Sequence, residues 1–436
     1  MKKSVIALLL VAVLVIIVSP GIIGKLAEQS VDDNLNWAAA ESGDLVVTSS
    51  SFDRGWFSSE GQHRIEIAEG QLRTALMSAA GPDGNGTMPV LLINTHLDHG
   101  LIPVASMSRD EGSLAPGLGS AVSTLAVEYG DGNTLDVPGK IYSKVSLTGD
   151  LVSRYVVDAG SKIVDDGEVT WQAATINVAA NSDSGEVEFD GDLGALTFGN
   201  QQQVVAIESV NFSGNQRTTS YGFSVGDIEF AMGPMTITAG DTAIGGNSGI
   251  RVVANSDVAD DTLSGDMHFE MSGQQIPGVG DLSIISDITL GSINAAAVGA
   301  LDRRLNDSAD PQNAILNADA ELKNLVAGGF DIGVERLDFA LPMGTIETRM
   351  TVLVPESDAA SFEWTSLLLA AEATFNVTIP EALVQMATSM DPQMGAVIGM
   401  GYLTKNGDVY QMDADLKKGL LTINGAPVPL PLGMLQ

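Results

Sequence analysis

The chain has no cysteine, which excludes disulfides, a lipid-modified N-terminal cysteine, thiol catalysis and thiolate metal sites together. Stability must then come from apolar burial and ladder hydrogen bonds. Histidine occurs four times and aromatic residues make up 5% of the sequence, so an imidazole-based centre can draw only on His63, His96, His99 and His268. Cations are scarce as well: 21 Lys and Arg face 55 Asp and Glu in 436 residues, a formal charge of -34. Such a surface repels nucleic acid, whose binders must present cations to phosphate, and it repels anionic lipid headgroups for the same reason. Charged residues are only 17% of the chain while hydrophobic ones are 44%, a balance that folds rather than one that stays disordered.

What is present begins with a leader. Met1-Lys2-Lys3 precedes an uncharged stretch, Ser4 to Gly24, before the next charge at Lys25; its length is close to the roughly 20 residues that cross a bilayer as a helix. Neither Val18-Ser19-Pro20 nor Ile23-Gly24-Lys25 resembles a good small-x-small cleavage site. The expectation for residues 1–24 is an uncleaved membrane anchor, with a cleaved signal peptide as the alternative. Lys2 and Lys3 stay on the cytoplasmic side by the positive-inside rule. The body is thereby placed outside the cytoplasm, in the periplasm of a two-membrane bacterium.

Beyond a short amphipathic segment at 25–40, the period becomes two. Val187 and Phe189 alternate with Glu186, Glu188 and Asp190; Met267, Phe269 and Met271 alternate with Asp266, His268 and Glu270. One apolar and one wet face, broken by Gly or Asn about every ten residues, is the pattern of antiparallel strands in hairpins. Ala297, Leu301 and Leu305 share one helical face, and Pro380 and Asp391-Pro392 bracket a second helix. Asn406-Gly407 and Asn424-Gly425 are hairpin signals. The fold class is α+β and predominantly antiparallel β: long twisted sheets with a few helices behind one N-terminal anchor helix. A β-rich body spans 25–290, and 291–436 continues it with two helical segments and a C-terminal hairpin. Whether the apolar sheet face closes on itself or lines a groove is left open by the pattern.

Candidate chemistry is sparse. His96 and His99 form His-x-x-His around Asp98, but in a strand an odd spacing sends the two rings to opposite faces. The Asp-Gly-rich stretches at 129–136 and 183–192 lack the ligand spacing of calcium loops, and Val137 to Ile141, "VPGKI", lacks the spacing of a phosphate loop. Nucleophile elbows and His-Glu-x-x-His are absent. No cofactor is expected. "FDRGWFSSEGQHRIEI", Phe52 to Ile67, gathers Arg54, Gly55, Trp56 and Phe57. Read as extended chain, it lays Arg54 beside Trp56 on one face, either as packed structure or as an interface.

The Lys-Lys leader, the Arg54-Gly55-Trp56-Phe57-Ser58-Ser59 block, the "HLDHG" strand with His99-Gly100, and the terminal "LLTINGAPVPL" together resemble the YdgA-like family of bacterial envelope proteins. The block and the strand mark Arg54, Gly55, Trp56, Phe57, His96, His99 and Gly100 as a structural or interface motif. Leu101 stands where relatives often have Pro. The resemblance implies a single-anchored inner-membrane protein facing the periplasm, without catalytic residues, for which self-association is in keeping. A looser likeness to AsmA-type envelope proteins rests on architecture alone. The expected role is non-enzymatic, binding itself or envelope partners and not nucleic acid. The alternative is a carrier or chaperone of lipid through an apolar β-groove, and a lesser one is a hydrolase of an envelope polymer.

Overall fold

The computed structural model describes residues 45–54, 58–68, 73, 88–99, 119–129, 132–146, 148–164, 167–181, 184–200, 202–276, 278–306, 318–390 and 393–429. The anchor stretch 1–24 and the amphipathic segment 25–40 lie outside them. Among the described residues no helix is long and apolar enough to cross a membrane. The chain divides into two units, the first running to Thr218 and including 237–243, the second containing 219–236, 244–305 and 314–436.

The first unit opens with β1 (Leu45–Arg54), β2 (Ser58–Ile67), β3 (Val90–His99), β4 (Gly119–Tyr129), β5 (Asn133–Val145) and β6 (Leu151–Val157). There follow β7 (Gly160–Val164), β8 (Gly167–Trp171), β9 (Ala174–Ala180), β10 (Glu186–Leu193), β11 (Leu196–Gly199), β12 (Gln203–Ile207) and β13 (Val210–Thr218). Strands β1 to β6 pair each with the next, β6 pairs with β9, and β9, β10 and β13 continue the ladder, every pair antiparallel. The excursions pair among themselves, β7 with β8, β8 with β11 and β11 with β12.

Alternation sorts this sheet into two faces. Ile65, Leu91, Val127 and Leu135 stand opposite one another across four strands; Val127 is 1% exposed, and Leu91 and Val137 pack against it. Farther along the same face Ile176, Val178, Val187, Phe189 and Phe212 are all buried. The apolar face of the first unit is therefore closed. "VPGKI" is a bulge in β5: the register on β4 steps from Ser123 opposite Ile141 to Leu125 opposite Val137. Gly139 takes φ +104 there, and a Cβ on it would lie 2.5 Å from the Val156 carbonyl oxygen. The Tyr155 hydroxyl donates to the Pro138 carbonyl at 2.6 Å.

The second unit contains β14 (Ser224–Met232), while β15 (Met235–Ala239) and β16 (Thr242–Asn247) straddle the division. It continues with β17 (Gly249–Ala259), β18 (Thr262–Ile276), β19 (Gly280–Asn294), α1 (Ala295–Asn306), α2 (Asp319–Ala327), β20 (Phe330–Leu341), β21 (Gly344–Val354) and α3 (Trp364–Ala370). The last elements are β22 (Glu372–Pro380), α4 (Glu381–Met390), α5 (Gln393–Gly399), β23 (Thr404–Asn406), β24 (Val409–Lys417), β25 (Leu420–Ile423) and β26 (Ala426–Val428). The ladder β14, β17, β18, β19, β20, β21, β22, β24, β25, β26 is antiparallel throughout, with β23 also hydrogen-bonded to β24.

The helices end strands rather than cover the sheet with a full layer. Asn294 caps α1, its side-chain oxygen accepting from the Ala297 N–H at 2.9 Å, and Arg303 in the last turn donates to the Tyr221 carbonyl at 3.0 Å. α4 starts directly after Pro380, lies against β22 and β24, and buries Leu383 and Val384. α1 and α4 are the two helices that the apolar spacing and proline punctuation predict. α2, α3 and α5 are additional, and the sequence reading missed them.

Candidate functional site

The sequence-level motif falls at one end of the β1–β2–β3 ladder. Arg54 closes β1 opposite Ser59 of β2, so the chain reverses direction between Arg54 and Ser58. The reading of Phe52 to Ile67 as a single extended run is thus corrected to a hairpin, with Asp53 and Arg54 still paired as the last residues of β1. Gly55, Trp56, Phe57 and Gly100 lie outside the described residues, and with them the expected Arg54–Trp56 stacking. His99 ends β3 opposite Gly119.

His96 is held by carboxylates on both sides. It stands directly opposite Glu60; its Nδ1 is hydrogen-bonded to Glu60 Oε1, and its Nε2 lies 3.2 Å from Asp98 Oδ1. The Asp98 side chain is 4% exposed, that of Glu60 67%, so the ring ties a buried acid to a solvated one. Next to Asp98 in register is Ser120, whose Oγ is buried without a hydrogen-bond partner. This Ser–His–Asp content is not a nucleophile arrangement: both ring nitrogens face carboxylates, leaving neither to take a hydroxyl proton. His268 repeats the theme in the second unit, its Nδ1 2.6 Å from Asp287 Oδ1, its direct cross-strand neighbour. Among the described residues there is no group of three or more His, Asp or Glu arranged to hold a metal.

A bidentate ion pair joins two strands of the first unit. Arg64 on β2 meets Glu128 on β4 through two hydrogen bonds, 2.7 and 2.9 Å, and Glu66 at 3.1 Å. The bidentate contact with Glu128, seconded by Glu66, raises the Arg64 guanidinium further above its ordinary value, and Arg64 in turn lowers the Glu128 carboxyl. Its place on the ladder and its complete pairing make it a brace between strands.

A different kind of site appears when the registers of the second unit are joined. Ile228, Ala254, Met267, Ile288, Val334, Met350, Phe375, Ala414, Ile423 and Ala426 stand opposite one another in a single row across ten strands. The adjacent row, one residue over and on the other face, reads Asp227, Asn255, Asp266, Thr289, Gly333, Thr351, Thr374, Asp415, Thr422 and Pro427. The apolar row and its companions Phe230, Val252, Phe269, Leu337, Phe339, Val352 and Val377 are half-buried or exposed; Ile228 and Met267 are each 38% exposed and Leu290 40%. The first unit's apolar face is closed; that of the second is open. No short sequence window could reveal it, because the signal is parity carried through nine successive registers, four register shifts included.

Five methionines, Met232, Met267, Met271, Met350 and Met412, point to this open face by register or alternation. Unbranched thioether side chains adapt to irregular apolar partners and are favoured on promiscuous binding surfaces. At about 4.8 Å per strand the face is some 45 Å wide, far larger than the scattered apolar residues normal for a monomer surface.

The sequence profile of a bacterial protein family of unknown function, DUF945, matches residues 1–431. No curated protein and no solved structure matches the chain.

Proposed function

We propose, from the premise that the chain belongs to the bacterial DUF945 family, a non-enzymatic envelope protein that binds a lipid or similar amphiphile on the open apolar face of its second unit. The observation that carries the reading is the ten-strand apolar row, half-exposed along its length and rich in methionine. An acyl chain laid on it removes apolar surface from water on both partners, at about 25 cal/mol per Å². The anchor at 1–24 and a periplasmic body belong to the same proposal. Its support is the uncharged 21-residue stretch behind two lysines and the resemblance to YdgA-like envelope proteins.

The test is mass spectrometry of organic extracts from protein purified without detergent, paired with uptake of a fluorescent lysophospholipid. Reproducible co-purified acyl lipid and saturable uptake, both abolished by Phe375→Glu in the apolar row, are expected. Lipid-free protein that takes up no probe overturns the reading. N-terminal sequencing of the membrane-fraction protein checks the anchor: a start beyond Gly24 would remove it.

A further inference from the structure

The two ends of the open face differ in chemistry. At one end the β18–β19 and β20–β21 turns and the end of β22 sit side by side. A Cβ on Gly280 would stand 2.7 Å from Pro342 Cγ, and one on Gly344 2.6 Å from Pro380 Cγ, so a proline ring lies directly against each glycine. Pro342 and Met343 are exposed at these tips, with Ile276, Val279 and Leu341 half-buried behind them. Asp281 alternates to the polar face of β19, and beyond β22 the Glu381–Lys405 pair neutralises itself at 2.5 Å. Across β18 to β21 this rim offers hydrocarbon.

The opposite end is charged. Asp260 and Asp261 make the β17–β18 turn, both exposed and both at positive φ. Asp331, the second residue of β20, and Glu372, the first of β22 with Lys417 3.1 Å away, also stand near this end but alternate to the polar face, so the charge at the open face is that of the turn. Between the two ends the apolar positions run from Ile284 to Leu290 on β19 and from Ile332 to Phe339 on β20. Six or seven residue steps at about 3.3 Å make roughly 20 Å, room for an acyl chain that in a bilayer spans about half of a 30 Å core. A surface that is hydrocarbon at one end and charged at the other matches a ligand with the same one-ended polarity.

We infer that the bound amphiphile lies along the strands with its acyl chain toward Pro342 and Met343 and the cationic group of its headgroup toward Asp260 and Asp261. This rests on the proposed lipid-binding role and fixes the direction of the ligand, which that role leaves open. The alternatives, a chain lying across the strands or one reversed end for end, put headgroup and chain terminus elsewhere.

The absence of cysteine makes a single introduced thiol a unique label site. Met343→Cys and Asp260→Cys, each carrying a small fluorophore, are titrated with two lysophosphatidylcholines, one bearing a nitroxide at the end of its chain and one on its choline. The label at 343 is expected to be quenched more strongly by the chain-end nitroxide, and the label at 260 more strongly by the headgroup nitroxide. Equal or reversed quenching with saturable binding overturns the orientation and leaves the lipid-binding role standing. No quenching and no binding by any variant or by the unlabelled protein overturns both. Val279→Cys and Thr262→Cys, neighbours at the same two ends, give the same readout if either first variant fails to fold.

Discussion

At the scale of single residues, a chain so short of cations satisfies its carboxylates with neutral donors. Asn177 donates to Asp190 at 2.8 Å, Asn255 to Asp266 at 3.0 Å and Asn376 to Asp413 at 2.8 Å, each pair directly opposite across a ladder. A neutral donor bonds a carboxylate without needing an ion that salt would screen. Asn376→Asp puts two carboxylates face to face and is expected to cost about 1 kcal/mol. The loss should be larger in low salt than in high, as read by urea midpoints; a salt-independent loss would count against the electrostatic reading. Tyr155 belongs to the same scale. Burial raises its phenol from the ordinary 10.0 to about 12, because the neutral hydroxyl bonded to Pro138 is the form that the fold favours. That stabilisation is complete below pH 10 and is lost as the pH rises through about 12. Tyr155→Phe should cost about 1 kcal/mol near neutrality and should close its gap to the native chain above pH 11, with titrations common to both proteins cancelling in the comparison.

Among elements, the bulge in β5 is decided by backbone. Gly132 and Gly139 both take positive φ, +90 and +104, but a Cβ at 132 meets nothing within 4 Å while one at 139 strikes the Val156 carbonyl. Gly132→Ala therefore carries conformational strain alone, about 1 kcal/mol. Gly139→Ala adds a backbone clash that only a shift of β6 relieves, and it should cost about 3 kcal/mol. Equal losses in denaturant titrations would refute a bulge locked by close approach. The bulge also marks the limit of what the sequence makes legible. Alternation at 186–190 and 266–271, the Ala297-Leu301-Leu305 face, the Pro380 start and the Asn406-Gly407 and Asn424-Gly425 turns each correspond to an observed element, since each is a local preference. "VPGKI" reads locally as a break, yet ladder bonds on both sides carry β5 through it. The hairpin after Arg54 stayed hidden behind a run of strand-favouring residues. The Glu60–His96–Asp98 contact could be suspected only in part, from the Asp98 two residues along, because Glu60 enters from another strand.

For the whole molecule, the distinction that matters is between a unit whose apolar face is closed and one whose apolar face is open. Ligand that binds only the folded second unit stabilises it by mass action, about 2.7 kcal/mol at a hundredfold excess over Kd, and leaves the first unit where it was. Each unit has its own reporter: Trp171 on β8 donates to the Asp158 carbonyl at 2.8 Å, and Trp364 at the start of α3 donates to Asp319 at 2.9 Å. The Trp364 contact has a partner of its own, since Lys323 2.9 Å from Asp319, seconded by the indole N–H, holds that carboxyl below its usual range. Subtracting Trp171→Phe and Trp364→Phe traces from the native chain isolates the two signals. Lysophosphatidylcholine is expected to move the Trp364 midpoint to higher urea and to leave the Trp171 midpoint in place. A shift of both together would mean that the units unfold as one, and a shift of Trp171 alone would put the ligand on the wrong sheet.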